Sequence, residues 1–189
     1  MSPRPALVVV DVQKGLDDPK LGRRSNPDTE KNIAELLAGW RALGLPVFHI
    51  RHFSREPGSP LNPEEGGDVR FKDEAAPLSG EAVIEKRVNS AFIGTNLEER
   101  LRRTGIEKIY ICGLTTNHCV ETTTRMAGNL GFETFLVSDA CATFDRAGPD
   151  GTPHKAEDIH AMTLANVHGE FAAVVETRDA LAAAERPAA

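Results

Sequence analysis

The sequence predicts a three-layer α/β/α protein in which helices cover both faces of a parallel, doubly wound sheet. Six short apolar runs with few alternating polar positions are typical of strands that are buried on both sides. Helical patterns lie between these runs, and such crossovers are what parallel pairing requires. The predicted strands are Ala6–Val12, Leu45–Phe53, Ala82–Lys86, Lys108–Leu114, Phe132–Ala140 and Phe171–Thr177.

Capping residues mark the starts of the first two predicted helices. Asn26 is the predicted N-cap of the first helix, with Pro27 at its first position. Thr95 and Glu98 have the spacing of a capping box at the start of the second helix. The expected helices span residues 27–44, 95–103, 120–131 and 156–168, and residues 182–189 have the pattern of a frayed helix end.

One long segment, Ser54–Gly80, interrupts this alternation. It is too rich in proline, glycine and charge to predict a regular element. Loops of this length in compact domains are commonly lids or partner-contacting segments, and a flexible surface insertion fits the composition equally well. Its role therefore stays open at this point.

The composition indicates one domain over residues 1–189, because a chain of 189 residues with 40% hydrophobic side chains can bury a continuous core. The formal net charge is −6 and the chain has no Lys/Arg cluster, so no nucleic-acid partner is expected. The apolar run Ala6–Val10 is too short to span a membrane and no secretion signal precedes it, so we expect no membrane association and a cytoplasmic location. An odd number of cysteines, 3, argues against a disulfide framework.

Three reactive side chains stand at the ends of predicted strands. Asp11 closes the first strand, Lys86 ends the third, and the fourth leads through a glycine to Cys119. Ligands of open α/β sheets bind at the carboxyl ends of strands, so these groups are expected to converge. Each also has an ordinary explanation: the aspartate could belong to a turn, the lysine could be solvated, and the cysteine could be a small buried residue. We interpret Cys112 and Cys141 as small buried residues.

Cys119 differs from the other two cysteines in its position. The capping residue types of Thr115, Thr116 and Asn117 precede it and place it in the first turn of a helix. The free N–H groups and the helix dipole there, together with a nearby Lys86, are expected to lower the pKa of the thiol below its reference of about 8.5. Cys119 is therefore the predicted nucleophile.

Four motifs carry a resemblance to a known family. They are VVDVQKG at 9–15, EKRVNSAFIGT at 85–95, CGLTTNHCVETT at 112–123 and VSDACATFD at 137–145. Their order and spacing resemble those of the isochorismatase-like cysteine hydrolase superfamily, which includes nicotinamidases, N-carbamoylsarcosine amidohydrolase and ureide-type amidases. The resemblance extends from about Leu7 to Thr177.

The resemblance implies a fold and a reaction. The fold would be a six-stranded parallel sheet of order 3-2-1-4-5-6, with a cis peptide between Leu114 and Thr115. Asp11, Lys86 and Cys119 would form a catalytic triad, and the backbone N–H groups of Thr115 and Cys119 an oxyanion hole. True isochorismatases cleave a vinyl ether and lack this cysteine. The thiol therefore implies hydrolysis of a C–N bond in a small amide or ureide through a thioester, with release of ammonia or an amine.

No metal or other cofactor is expected. Nicotinamidase-type relatives carry an Asp-x-His pair near the end of the second strand, and FHIRHFS in this chain lacks it. His49 and His52 point to opposite faces of a regular strand, so they cannot ligate one ion together. We expect His49 to pack in the sheet and His52 to reach the pocket rim, whereas His118 need not face the substrate. The remaining histidines are expected to be solvated: His154, His160 and His168.

The expected substrate contacts combine amide, hydroxyl, imidazole and aromatic groups, which suit a small polar molecule. They are Gln13, His52, Asn89, Ser90, Phe92 and Asn117. Relatives are commonly dimers or tetramers, which implies a homo-oligomer. Two alternatives stay open: the same triad could open an ester, a lactam or an antibiotic amide, or the chain could be a non-catalytic oligomeric binding protein.

Overall fold

The computed structural model describes residues 4–185. The strands in that range are β1 (Ala6–Val10), β2 (Val47–His52), β3 (Ala82–Lys86), β4 (Lys108–Leu114), β5 (Glu133–Ala142), β6 (Arg146–Ala147), β7 (Pro153–His154) and β8 (Ala173–Val175). The helices are α1 (Thr29–Ala42), α2 (Leu97–Arg103), α3 (Glu121–Asn129), α4 (Ala156–Val167) and α5 (Thr177–Glu185). No helix in the described part of the chain is long and apolar enough to cross a membrane. The predicted frayed end lies in α5 up to residue 185, and residues 186–189 are outside the described range.

Six of these strands form one parallel sheet in the order β3-β2-β1-β4-β5-β8. This confirms the expected order, because β8 is the sixth strand of the sheet along the chain. The strands β6 and β7 are a separate antiparallel pair of two residues each. The strand order reverses between β1 and β4, so the crevice at their carboxyl ends is the usual ligand position of such a fold.

Buried apolar side chains fix the helices to the sheet. The whole of β1 is buried, as its unbroken apolar run predicts for a central strand. From α1, Trp40 packs edge-on against Tyr110 of β4, with ring centroids 5.2 Å apart. Tyr110 in turn stacks on Phe135 of β5 at 4.6 Å. These contacts hold the central strands in place, and with them the loops that follow their carboxyl ends.

Two predicted helix caps are wrong. Asn26 does not cap α1, which begins at Thr29, because Asn26 adopts a positive φ of 45° and donates its side-chain amide to the Cys141 carbonyl at 2.7 Å. The expected capping box at 95–98 does not form either: α2 begins at Leu97, whose N–H donates to the side-chain oxygen of Thr95 at 3.3 Å. The side chain of Asn26 is thus used in a tertiary contact, and that of Thr95 in a local turn.

A buried lysine anchors the second half of the segment 54–80. Lys72 Nζ lies 2.5 Å from Asp17 and 2.6 Å from Glu30 of α1, and Arg24 also pairs with Glu30 at 2.5 Å. Burial raises the pKa of Glu30, but the hydrogen bonds from Arg24 and Lys72 outweigh it and bring the pKa to about 2. The segment is thereby joined to α1 and to the turn after β1.

The same segment also touches the turn after β1 at Gly15. The Gly15 N–H donates to the Asp68 carbonyl at 2.8 Å. A Cβ placed on Gly15 would lie 2.2 Å from the Pro60 carbonyl oxygen and 2.7 Å from that of Asp68. Only glycine allows so close an approach of three backbone stretches. The part of the segment around Pro60 therefore packs as a wall beside the carboxyl end of β1.

Candidate active site

The three reactive side chains predicted from the strand ends come together at the carboxyl edge of the sheet. Asp11 follows β1 and has a positive φ of 52°, and Lys86 is the last residue of β3. Cys119 lies in a single turn of π-helix, Thr116–Val120, between β4 and α3. Lys86 Nζ lies 2.7 Å from Asp11 Oδ2 and donates to Cys119 Sγ at 3.1 Å. One ammonium group therefore contacts both the carboxylate and the thiol.

These groups are almost completely removed from solvent. Asp11 and Lys86 are each 1% exposed and Cys119 is 8% exposed. Lys86 also donates to the Val88 carbonyl at 3.1 Å, which holds the ammonium between its acceptors. The ion pair with Asp11 is short but lies off the hydrogen-bond direction, so within residues 4–185 neither carboxylate oxygen accepts a well-directed hydrogen bond. Oδ2 thus lies against the ammonium, whereas Oδ1 has no polar partner among the described residues.

The thiol is harder to ionise than its position in the sequence predicts. Burial raises the pKa of Cys119, the negative charge of Asp11 raises it further, and the opposing effect of Lys86 is smaller. The expected lowering of this pKa is therefore wrong, because an anion in a nearly dry site loses its hydration. The resting group is a neutral thiol that needs a base, and Asp11 is the carboxylate beside it.

His52 completes the immediate surroundings of the sulfur. Its Nδ1 lies 3.6 Å from Cys119 Sγ and 3.7 Å from Asp11 Oδ2. Burial and the charge of Lys86 lower the pKa of His52, so its ring is neutral near pH 7. His49, in contrast, points to the opposite face of β2 and is fully buried, with Nε2 2.9 Å from Glu81 Oε2. The expected division between the two histidines is confirmed.

Asp11, His52 and Cys119 each present one possible metal ligand, and these atoms lie within 4.8 Å of one another. The Lys86 ammonium, however, is 2.7 Å from the carboxylate and 3.1 Å from the sulfur. A divalent cation held by these ligands would face a positive charge at short range. The three groups fit proton transfer better than metal binding.

A cavity of about 410 Å³ opens above the sulfur. This volume lies in the lower part of the range of small-molecule sites, about 300–1,000 Å³. Asp11, His52, Thr115 and Cys119 line its floor, and the peptide between Leu114 and Thr115 is cis, as the resemblance implied. Most of its walls are apolar and come from Leu16, Leu21, Pro60, Leu61, Leu114 and Phe144. The cavity thus brings the thiol of Cys119, the carboxylate of Asp11 and the imidazole of His52 to one small space.

Comparison with known proteins agrees with this geometry. A family model described as Isochorismatase domain matches residues 5–179. The chain belongs to the isochorismatase family. It is similar to the uncharacterised isochorismatase family protein YrdC of Bacillus subtilis (strain 168), with 47% identity over 177 residues and 94% of each chain covered. The resemblance found in the four motifs is confirmed.

Two further relatives extend this comparison. The crystal structure of an isochorismatase-family protein from Chromobacterium violaceum ATCC 12472 has a TM-score of 0.91 and 46% identity, covering 97% of this chain and 95% of that one. Nicotinamidase 3 of Arabidopsis thaliana is 30% identical over 183 residues, covering 90% of this chain and 84% of the relative. The protein is thus an isochorismatase-family hydrolase with amidohydrolase-like relatives.

Of the substrate contacts expected in this isochorismatase-family chain, two line the cavity. They are His52 and Asn89, whose Oδ1 lies 3.9 Å from Cys119 Sγ. Gln13 does not reach the cavity, because its side chain is fully buried against backbone. Its Oε1 accepts the His52 N–H at 2.8 Å, and its Nε2 donates to the His52 carbonyl at 3.0 Å. Gln13 therefore holds the backbone of His52 in place.

The other three expected contacts are not among the residues that line the cavity. Ser90 is buried, and its hydroxyl accepts the Phe92 N–H at 3.2 Å. The ring of Phe92 stacks on Phe132 with centroids 5.9 Å apart. Asn117 Oδ1 accepts a hydrogen bond from the Thr143 hydroxyl at 2.5 Å. A local turn therefore uses the Ser90 hydroxyl, whereas contacts with distant parts of the chain use the side chains of Phe92 and Asn117.

Several residues of the site were not predicted. His118 lines the cavity, although its position beside the nucleophile left the direction of its side chain open. Phe144, in the loop after β5, and Arg146, the first residue of β6, also line it. The signal for that loop was present, since VSDACATFD is one of the four motifs and ends a strand. His160 was expected to be solvated but is buried, because its Nδ1 contacts the Thr116 hydroxyl at 2.9 Å.

Proposed function

We propose that this isochorismatase-family hydrolase cleaves the C–N bond of a small amide or ureide through a thioester on Cys119, releasing ammonia or an amine. The observation that carries the proposal is the contact of one buried ammonium, Lys86, with both Asp11 at 2.7 Å and Cys119 at 3.1 Å, on the floor of a cavity. The 30% identical nicotinamidase of Arabidopsis thaliana supports a C–N bond as the target.

The first step forms a carbon–sulfur bond. Asp11 accepts the thiol proton, and the sulfur attacks the carbonyl carbon of the amide. The raised pKa of Cys119 means that a free thiolate does not accumulate, so proton transfer accompanies attack. Lys86 stays 3.1 Å from the sulfur and stabilises the charge that develops there. The backbone N–H groups of Thr115 and Cys119 receive the oxyanion, since both residues line the cavity floor.

The second step breaks the carbon–nitrogen bond. The tetrahedral intermediate collapses, Asp11 returns its proton to the departing nitrogen, and ammonia or an amine leaves a thioester on Cys119. Water then attacks the thioester carbonyl while Asp11 accepts one of its protons. The carbon–sulfur bond breaks, the carboxylic acid is released, and the proton on Asp11 restores the neutral thiol. The cycle needs no group beyond the chain, the amide and water.

Ammonia release from a panel of small amides and ureides tests this proposal, with intact mass used to detect a thioester. Cys119→Ala is expected to release no ammonia and to form no adduct. Cys141→Ala is the matched control, because it removes a fully buried thiol from β5 and leaves the triad in place. Activity of Cys119→Ala within tenfold of the wild type would rule out the sulfur as the nucleophile.

A further inference from the structure

Arg146 is a charged residue of the cavity for which the proposed mechanism has no use. It is exposed at the start of β6, and it lines the same cavity as Cys119. No carboxylate within residues 4–185 forms an ion pair with it. Its side-chain partner is His118, because Nη1 of Arg146 contacts Nε2 of the imidazole. Since His118 directly precedes Cys119, the guanidinium is held close to the nucleophile's turn.

A neutral acceptor orients Arg146 without cancelling its charge. Burial and the adjacent guanidinium lower the pKa of His118, so the ring is neutral near pH 7. A neutral imidazole that accepts at Nε2 carries its proton on Nδ1. Had a carboxylate filled this position, the positive charge would be neutralised. The contact thus leaves the remaining donors of Arg146 with their full charge facing a shared cavity.

The neighbouring carboxylate of Asp145 does not neutralise Arg146. Asp145 accepts two hydrogen bonds from Arg23, at 2.8 and 3.1 Å, and a third from the Ala156 N–H at 2.7 Å. These bonds lower the pKa of Asp145, and the bond from the Ala156 N–H has the largest effect. Asp145 is therefore directed toward Arg23, which also pairs with Glu157 at 2.6 Å, and toward the N-terminus of α4, and it forms no ion pair with Arg146.

The other charged groups around the cavity are of both signs. On the floor, Asp11 is paired with Lys86 at 2.7 Å. At the rim, Lys20 and Glu56 are both exposed and carry opposite charges. The two histidines that line the cavity are neutral for the reasons given above. Arg146 is thus a cation of the cavity lining that forms no ion pair with a carboxylate within residues 4–185, and it lies next to the nucleophile's turn through His118.

We propose that Arg146, oriented by His118, is the binding subsite for a carboxylate on the substrate, located at the end remote from the scissile C–N bond. Guanidinium binds carboxylate through two parallel hydrogen bonds, which an exposed ammonium cannot match in geometry. The apolar walls around Leu61 and Phe144 suit a short methylene chain between the two ends. The inference rests on the proposed amide hydrolysis and narrows its substrate class to monoamides of small dicarboxylic acids and their close analogues.

Matched probes test the charge directly. Ammonia release is measured with succinamate, glutaramate and adipamate, and with the methyl ester of each, which has the same skeleton without the negative charge. The wild type is expected to prefer the anionic form by at least about tenfold in kcat/KM at the best chain length. In Arg146→Gln, kcat/KM for that anion should fall by about 10- to 100-fold, the effect of losing one charge-assisted contact. The kcat/KM of Arg146→Gln for the methyl ester should stay within about twofold of the wild-type value.

Two variants separate charge from general damage. Arg146→Lys keeps the charge but not the planar fork, so it should restore only part of the preference. Arg103→Gln removes an equal charge from the exposed end of α2, away from the cavity, and should leave both rates unchanged. Equal hydrolysis of anionic and neutral probes by the wild type, or an equal loss of both in Arg146→Gln, would overturn the subsite while amide hydrolysis stands.

Binding distinguishes failure of the subsite from failure of the reaction. If the wild type hydrolyses none of the probes, glutaramate is titrated calorimetrically into Cys119→Ala, with and without Arg146→Gln. Binding that weakens at least about tenfold on the second substitution supports the subsite although the proposed hydrolysis has failed. Equal affinities, or no binding to either variant, would overturn the subsite.

Discussion

Replacing Asp11 by asparagine is expected to make Cys119 easier to ionise and, at the same time, to slow amide hydrolysis strongly. The carboxylate raises the pKa of the thiol in the wild type, so its removal leaves Lys86 as the dominant charge, 3.1 Å from the sulfur. Asparagine is the suitable replacement because it has nearly the same shape and tolerates the positive φ of 52° at this position.

The size of the effect follows from the separation of the two groups. A ligand atom of Asp11 and the sulfur of Cys119 lie within 4.8 Å of each other. Two unit charges at such a distance interact by about 3 kcal/mol at an effective dielectric constant of about 20. That energy corresponds to about two pKa units. Burial still opposes ionisation, so we expect the pKa of Cys119 to fall by about one to two units in Asp11→Asn.

The pH profile of alkylation measures this shift. The rate of iodoacetamide modification of Cys119 is followed by intact mass over a pH series in the wild type and in Asp11→Asn, with Cys119→Ala reporting any labelling of the other two thiols. The profile of the variant should move to lower pH, while its ammonia release falls by about 10²–10⁴-fold through loss of the base. An unchanged or upward-shifted profile would refute the assignment of Asp11 as the group that holds the thiol neutral.

Two further predictions concern stability. Gly15→Ala should lower the free energy of unfolding by about 1–3 kcal/mol, or roughly 2–12 °C in Tm, and raise KM, because its Cβ would meet the Pro60 carbonyl oxygen at 2.2 Å. In the control Gly39→Ala the Cβ meets only a side-chain tip, that of Leu181, and helix propensity improves, so a melting experiment should show no loss; equal melting of both variants would contradict this account of the close approach. Glu30 has a pKa lowered to about 2, so the stability it contributes is present above its unfolded value of about 4.5 and is lost as the pH falls toward 2. The free energy of unfolding, measured with denaturant between those pH values, should therefore depend less on pH in Glu30→Gln than in the wild type. The same pH dependence in both proteins would show that the ion pairs of Glu30 do not contribute to stability.

The sheet and the reactive groups could be predicted from the sequence because both depend on local patterns. The run 82–86 ends in a lysine and the run 108–114 in a Gly-Leu pair, and the bounds of β3 and β4 agree with the prediction. A polar residue at the end of a buried strand has to lie at the carboxyl edge, so the positions of Asp11 and Lys86 followed from topology. Cys119 was distinguished by the capping residues before it.

The errors arise where tertiary contacts decide. Asn26 is a good capping residue by type, but the Cys141 carbonyl takes its amide. Gln13 follows a strand end as Asp11 does, yet its side chain binds the backbone of His52. The predicted shift in the pKa of Cys119 had the wrong direction, because the position of this residue in the sequence indicates a helix terminus but says nothing about burial. No local pattern indicates such contacts, since each partner is more than 30 residues away or lies on another element.

The wall around Pro60 offers a route to altered substrate range. Its contacts with Gly15, and the ion pair of Lys72 with Asp17, tie the segment to the turn after β1. Gly58, just before the wall, has a positive φ of 72°, and no atom lies within 4 Å of the position a Cβ would take there. Exchanging residues 55–59 would therefore reshape one side of the cavity mouth without moving Asp11. A library built on that short stretch could test new acyl groups while the proton-transfer machinery stays constant.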